Sequence, residues 1–87
     1  MDQLQLKELK SNFSTFLRFY SELKRAKNQK ERNRINEELE PLKSKMIQNF
    51  KLREHDPHLS HYSNDNNYFK CDIETIIAKL EEDNSNS

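Results

Sequence analysis

The first apolar stripe of the chain is Leu6, Leu9, Phe13, Phe16, Tyr20 and Leu23, spaced 3, 4, 3, 4 and 3. That alternation keeps one face of an α-helix apolar and predicts a first helix over about residues 3–27. At 100° per residue these positions, together with Leu17, cover an arc of about 120°. The arc is wider than a two-stranded seam and suits a helix with two neighbours. Phe19 falls about 40° outside it, and Leu4 lies far from it, at an end expected to fray.

From Lys27 to Arg34 there is no apolar residue, and the pattern resumes at Ile35, Leu39, Leu42, Met46 and Phe50. Continued at 3.6 residues per turn, the first stripe would reach positions near 30, 34, 37 and 41, so the second stripe is rotated by about 120°. In one continuous helix the two faces would point apart. A turn between Asn28 and Asn33 lets them meet. Asn28-x-x-Glu31 has the form of a capping box, and asparagine is the residue best suited to a left-handed turn in a chain without glycine. The pattern predicts an antiparallel helical hairpin whose second helix covers about residues 30–54. A solvent-bridging continuous helix is the alternative. Pro41 removes a backbone donor within the second helix, and a kink is expected there.

Residues 55–71 read as a loop on composition. A short third helix over about 72–82 is predicted, with Asp72 as N-cap and Cys71 and Ile76 as a hydrophobic staple. Ile73, Ile76, Ile77 and Leu80 would line its buried face. Residues 83–87 are polar and acidic, a tail expected to be disordered. The expected fold is all-α, a single domain over 1–82: a long antiparallel hairpin, kinked at Pro41, that carries a short C-terminal helix. A dimeric helical bundle is a further form of the same expectation.

Composition then narrows the function classes. The 87 residues contain no glycine, which excludes Gly-rich phosphate loops and with them P-loop and dinucleotide-binding folds. A single cysteine, Cys71, excludes a disulfide framework and a multi-cysteine zinc site, and favours a reducing compartment. No basic-then-apolar leader opens the chain, and no apolar run approaches the ~20 residues of a membrane span. A cytoplasmic protein without a membrane segment is expected. The formal net charge is zero, yet residues 1–34 carry nine Lys/Arg against four acids, and residues 35–87 six against eleven. A molecule polarised in this way suits pairing with itself or with a polarised partner better than coating nucleic acid.

Candidate reaction chemistry is thin. His55, His58 and His61 stand at i, i+3 and i+6, and the first two could share a helical turn as zinc or nickel ligands. Pro57 interrupts that turn, and the spacing matches no closed zinc pattern, so no metal and no cofactor are expected. Cys71, just before an apolar helix, reads as a small buried residue rather than a nucleophile. The acidic runs read as solvated faces, without the desolvating pocket that a general acid needs. No enzymatic activity and no small-molecule substrate are expected.

Two binding features remain. Phe13, Phe16, Phe19 and Tyr20 put four aromatics in eight residues. If Phe16 and Tyr20 fill the core, Phe19 is left as a surface anchor for a partner protein or a second copy, unless the C-terminal helix covers it. The segment Lys24–Arg34 holds six bases and one acid. Lys24, Arg25, Lys27, Arg32 and Arg34 are its candidate contacts to an acidic protein surface or to phosphates. Were these charges paired with Glu37, Glu38 and Glu40, the segment would be only a solvated turn. The expected function is a non-enzymatic interaction protein, an inhibitor or adaptor, self-associating as a homodimer or binding a partner protein through Phe16, Phe19, Tyr20 and the basic cluster. A small nucleic-acid-binding regulator using residues 24–34 is the alternative.

Overall fold

A computed structural model describes residues 2–57, 59 and 65–85. Helix α1 spans Gln3–Arg25, α2 spans Gln29–Asn49, a 3-10 turn covers Leu52–Glu54, and α3 spans Asn66–Ser85. The described residues are all-helical, and α1 packs against both α2 and α3 as a small helical bundle. None of these helices is long and apolar enough to cross a membrane.

Helix α1 starts at Asp2, whose carboxylate accepts the Gln5 N–H at 2.8 Å. Capping of this kind satisfies one of the orphan donors of a first turn. Leu6, Leu9, Phe13 and Phe16 are buried, and Leu17, Tyr20 and Leu23 pack half-buried against the same core. The wide apolar arc of α1 is thus divided between its two neighbours.

The hairpin forms, and its turn carries the expected Asn28/Glu31 cap but no left-handed asparagine. Ala26 (φ −63°, ψ 135°) and Asn28 (φ −144°, ψ 168°) are both extended, so neither Asn28 nor any other turn residue is left-handed. Asn28 Oδ1 accepts the Glu31 N–H at 2.9 Å, and the Glu31 carboxylate reaches back to the Lys27 N–H at 3.1 Å. This is a capping box displaced by one residue at its return bond.

The strain of a glycine-free chain falls instead at Lys51, the one residue with positive φ among those described (φ 52°, ψ 45°). Helix α2 stops at Asn49 rather than near 54 because the backbone turns left at Lys51. The following 3-10 turn then delivers Leu52 to the core. A side chain with a Cβ is disfavoured in that conformation, while glycine adopts it freely. Lys51→Gly should therefore raise stability by about 0.5 kcal/mol after its extra unfolded-state entropy is counted. A urea midpoint that falls instead would show that Lys51 is held there by contacts that outweigh the strain.

Helix α2 continues without interruption through the exposed Pro41. Its buried face consists of Ile35, Leu39, Met46, Ile47 and, unexpectedly, Lys43, which is only 1% exposed. Lys43 is buried on the same helix face as Leu39, Met46 and Ile47, and its Nζ meets the Glu40 carboxylate at 2.8 Å and Asn66 Oδ1 at 2.9 Å. Long basic side chains can bury their methylenes while the charged head finds polar partners. Lys43 in this way ties α2 to the first residue of α3.

Helix α3 begins well before residue 72. Its N-cap is Asp65, whose Oδ1 accepts the N–H groups of Asn67 (2.9 Å) and Tyr68 (3.3 Å), while its carbonyl accepts that of Phe69. Asp72 is therefore inside the helix, and Cys71 is exposed rather than a buried staple residue. The early start adds Phe69 to Ile73, Ile76 and Leu80, a 4-3-4 stripe of buried residues, with Ile77 half-buried beside it. The helix also runs through Asp83, Asn84 and Ser85, which composition assigns to a disordered tail. Phe69 meets the Phe16 ring near its start (centroids 5.0 Å apart) and Glu81 meets Lys10 at 2.6 Å near its end, so α3 runs antiparallel to α1.

Candidate functional site

The aromatic cluster of α1 belongs mainly to the interior. Phe16, a candidate partner contact in the sequence, is fully buried and offers nothing to a partner. Its ring stacks on Phe13 (6.0 Å), tilts against Tyr20 (5.8 Å) and meets Phe69. Phe19 is half-buried against the core, with the Arg18 guanidinium 5.2 Å above its ring. Tyr20 is also half-buried and carries the Lys24 ammonium at 4.5 Å. The large apolar residues left exposed among those described are Leu4 and Tyr68. The apolar surplus of α1 is thus largely taken up by α3, whose early start brings Phe69 onto it.

The basic segment occupies the free end of the hairpin. Contacts that fix α3 on α1 involve Lys10 and Phe16, both short of that end. From Lys24 to Arg34 every residue is exposed except Ala26 and Arg32, which are half-buried. Lys24 and Arg25 form the last turn of α1, Lys27 lies in the connection, and Lys30, Arg32 and Arg34 lie in the first two turns of α2. Lys30, absent from the sequence-derived set of contacts, shares a shallow groove with Arg34, lined also by Gln29, Glu31, Asn33 and Glu37. Its spacing of i, i+4 from Arg34 is the signal that could have included it.

Local contacts hold some of these side chains without neutralising them. Arg25 donates to the Ser21 carbonyl and hydroxyl at 3.4 and 3.3 Å, and Arg32 Nε donates to Gln29 Oε1 at 3.4 Å. Among the described residues no carboxylate lies within ion-pair distance of any of the six cations. Glu40 is engaged by Lys43, and the Glu31 carboxylate serves the Lys27 backbone. The reading in which Glu37, Glu38 and Glu40 neutralise the segment within the chain is therefore not met.

Helix electrostatics sharpen the point. Lys24 and Arg25 sit where cations complement the negative end of α1. Lys30 and Arg32 sit at the positive end of α2, where each cation costs a few tenths of a kcal/mol. Glu31 in the same turn complements that end, so the two cations are the part of it that stability alone would not select. No family model, curated protein or solved structure matches the chain.

His55 closes the 3-10 turn through its N–H to the Leu52 carbonyl at 3.0 Å, while His58 and His61 lie outside the described residues. Among the described residues no three His, Cys, Asp or Glu side chains converge as metal ligands.

One titratable contact affects stability. Burial, then the negative charge of Asp56 and a side-chain hydrogen bond with it, raise the Asp72 carboxyl above its ordinary 3.8. The folded chain therefore holds this proton to higher pH than the unfolded chain. The stability it contributes is complete below the unfolded value and is lost as pH rises through the raised folded one. Asp72→Asn, neutral throughout, should gain about 0.5 kcal/mol at pH 7 relative to wild type, the size of a solvent-screened pair. The gain should shrink toward pH 3 in urea melts. An Asn variant less stable than wild type at pH 7 would contradict it.

Proposed function

We propose that the chain is a non-enzymatic binding protein whose working surface is the basic end of its helical hairpin, and that its partner presents dense negative charge. The observation that carries this reading is the cluster Lys24, Arg25, Lys27, Lys30, Arg32 and Arg34, exposed or half-exposed and without carboxylate partners among the described residues. Two of these cations oppose the α2 dipole, a local cost to stability that a binding role would explain. Retention on immobilised heparin, a generic polyanion, tests it. Wild type should elute well above the salt at which a variant with all six changed to Gln elutes. Flow-through of both proteins at low salt would refute the reading.

A second reading is an inhibitor or adaptor that docks on a protein, or on a second copy of itself, through Phe19 and Tyr20. Their partial exposure near the basic end favours it. Phe19→Ala should then shift the mass in solution or the capture of a protein partner while changing stability little.

A further inference from the structure

We infer that the basic hairpin end docks on the phosphate backbone of double-stranded nucleic acid. The inference rests on the reading of that end as the working surface and names its partner. Three features of the surface select among polyanions.

The first is charge without an exposed apolar anchor, since the half-buried rings of Phe19 and Tyr20 beside it each lie under a cation. Stable protein interfaces are centred on desolvated apolar or aromatic side chains. Leu23 and Ala26, the apolar residues nearest the turn, are both half-buried against the core. Among the described residues, the exposed large apolar ones lie elsewhere, Leu4 at the start of α1 and Tyr68 on α3. A phosphate backbone needs no such anchor, because its binding is driven by the release of condensed counterions.

The second is the lack of a stacking platform. Single strands are held by aromatic rings on which bases stack. No residue from Lys24 to Arg34 is aromatic, and the ring next to the segment, Tyr20, is half-buried beneath the Lys24 ammonium. A duplex, whose bases are already stacked, asks only for cations and polar donors along its backbone.

The third is the supply of those donors. Exposed Asn28, Gln29 and Asn33 alternate with the cations, and amide side chains commonly share phosphate contacts with Lys and Arg. The cations come from the two helix ends that the turn joins, with Lys30 and Arg34 on one face of α2 and Arg32 on the other, so the charge surrounds the tip of the hairpin. Backbone contact of this kind is the same for DNA and RNA duplexes, and sequence plays little part in it.

The test is fluorescence anisotropy with four labelled probes of matched charge: a DNA duplex, an RNA duplex, a single strand and a polyglutamate peptide. Affinity for either duplex should fall about 100- to 1,000-fold between 50 and 200 mM salt, as expected for four or five phosphate contacts. Both the single strand and polyglutamate should bind at least tenfold more weakly. A preference between the duplexes identifies the source and supports the inference. Changing Lys24, Arg25, Lys27, Lys30, Arg32 and Arg34 to Gln should lower duplex affinity about 1,000-fold at 50 mM salt, whereas changing the exposed Lys7, Lys45 and Lys79 should lower it less than threefold. Heparin retention with polyglutamate binding as tight as duplex binding overturns the inference and leaves the wider reading standing. Absence of binding to every probe and to heparin overturns both.

Discussion

Phe16→Ala should lower the stability of the chain by about 3–5 kcal/mol. Phe16 is fully buried, against Phe13 and Tyr20 of its own helix and Phe69 of α3. Truncating a buried Phe costs about 3–5 kcal/mol, through lost transfer free energy and the cavity left behind. A domain of this length has a total stability of only about 4–13 kcal/mol. The chain contains no tryptophan, so unfolding is best followed by far-UV circular dichroism in urea. Phe16→Leu, which keeps most of the volume, should cost less than half as much. Equal losses for Leu and Ala would mean that ring contacts, not volume, dominate this site.

The second large effect concerns the hairpin end. Changing Lys24, Arg25, Lys27, Lys30, Arg32 and Arg34 together to Gln should lower affinity for a polyanion about 1,000-fold at 50 mM salt, since each lost phosphate contact removes its share of counterion release. Stability should move in the opposite direction or stay level. Gln and Lys have similar helix propensity, and among the described residues none of the six cations pairs with a carboxylate. Lys30→Gln with Arg32→Gln is the most informative subset, because both cations oppose the α2 dipole. That pair should gain a few tenths of a kcal/mol in stability while losing about tenfold in affinity. A pair that loses stability instead would make these residues structural, and the surface would lose its claim to function.

The parts of this fold that were legible in the chain are those in which one local rule acts alone. The 3-4 stripe of α1 is uninterrupted, so its helix and buried face follow directly. The hairpin is legible because the phase of the apolar pattern shifts across a polar gap that contains Asn28 and Glu31 in capping register. Misreadings occur where a polar residue does core work or where a turn lacks its usual residue. Lys43 occupies a buried position of α2 that its charge disguises. The reversal at Lys51 is unannounced, because the left-handed conformation that glycine normally marks is taken by lysine. Helix α3 starts at Asn66 under a run of Asn and Asp that reads as loop, although Phe69-Ile73-Ile76-Leu80 already has helical spacing.

The candidate site was legible in composition and not in geometry. Six bases in eleven residues are plain in the sequence. Their lack of carboxylate partners is not, since Glu37, Glu38 and Glu40 stand at spacings that allow pairing along the helix. The structure separates the two cases by engaging Glu40 with Lys43 and leaving Glu37 and Glu38 without ion pairs to the basic end. The aromatic anchor fares in the opposite way. Phe19 looked surplus for a two-helix core, but it packs half-buried against the core, while a third helix that starts early brings Phe69 onto Phe16.

The most direct measurement of the central claim is a residue-by-residue map of binding. Amide chemical shifts of the labelled protein, followed while a short nucleic-acid duplex is added at low salt, report which backbone groups meet it. The account predicts shifts concentrated in residues 24–34, with the side-chain amides of Asn28, Gln29 and Asn33 among them and α3 from Phe69 to Leu80 unmoved. Shifts centred on α3 or on the start of α1, or none at all at millimolar duplex, would contradict it.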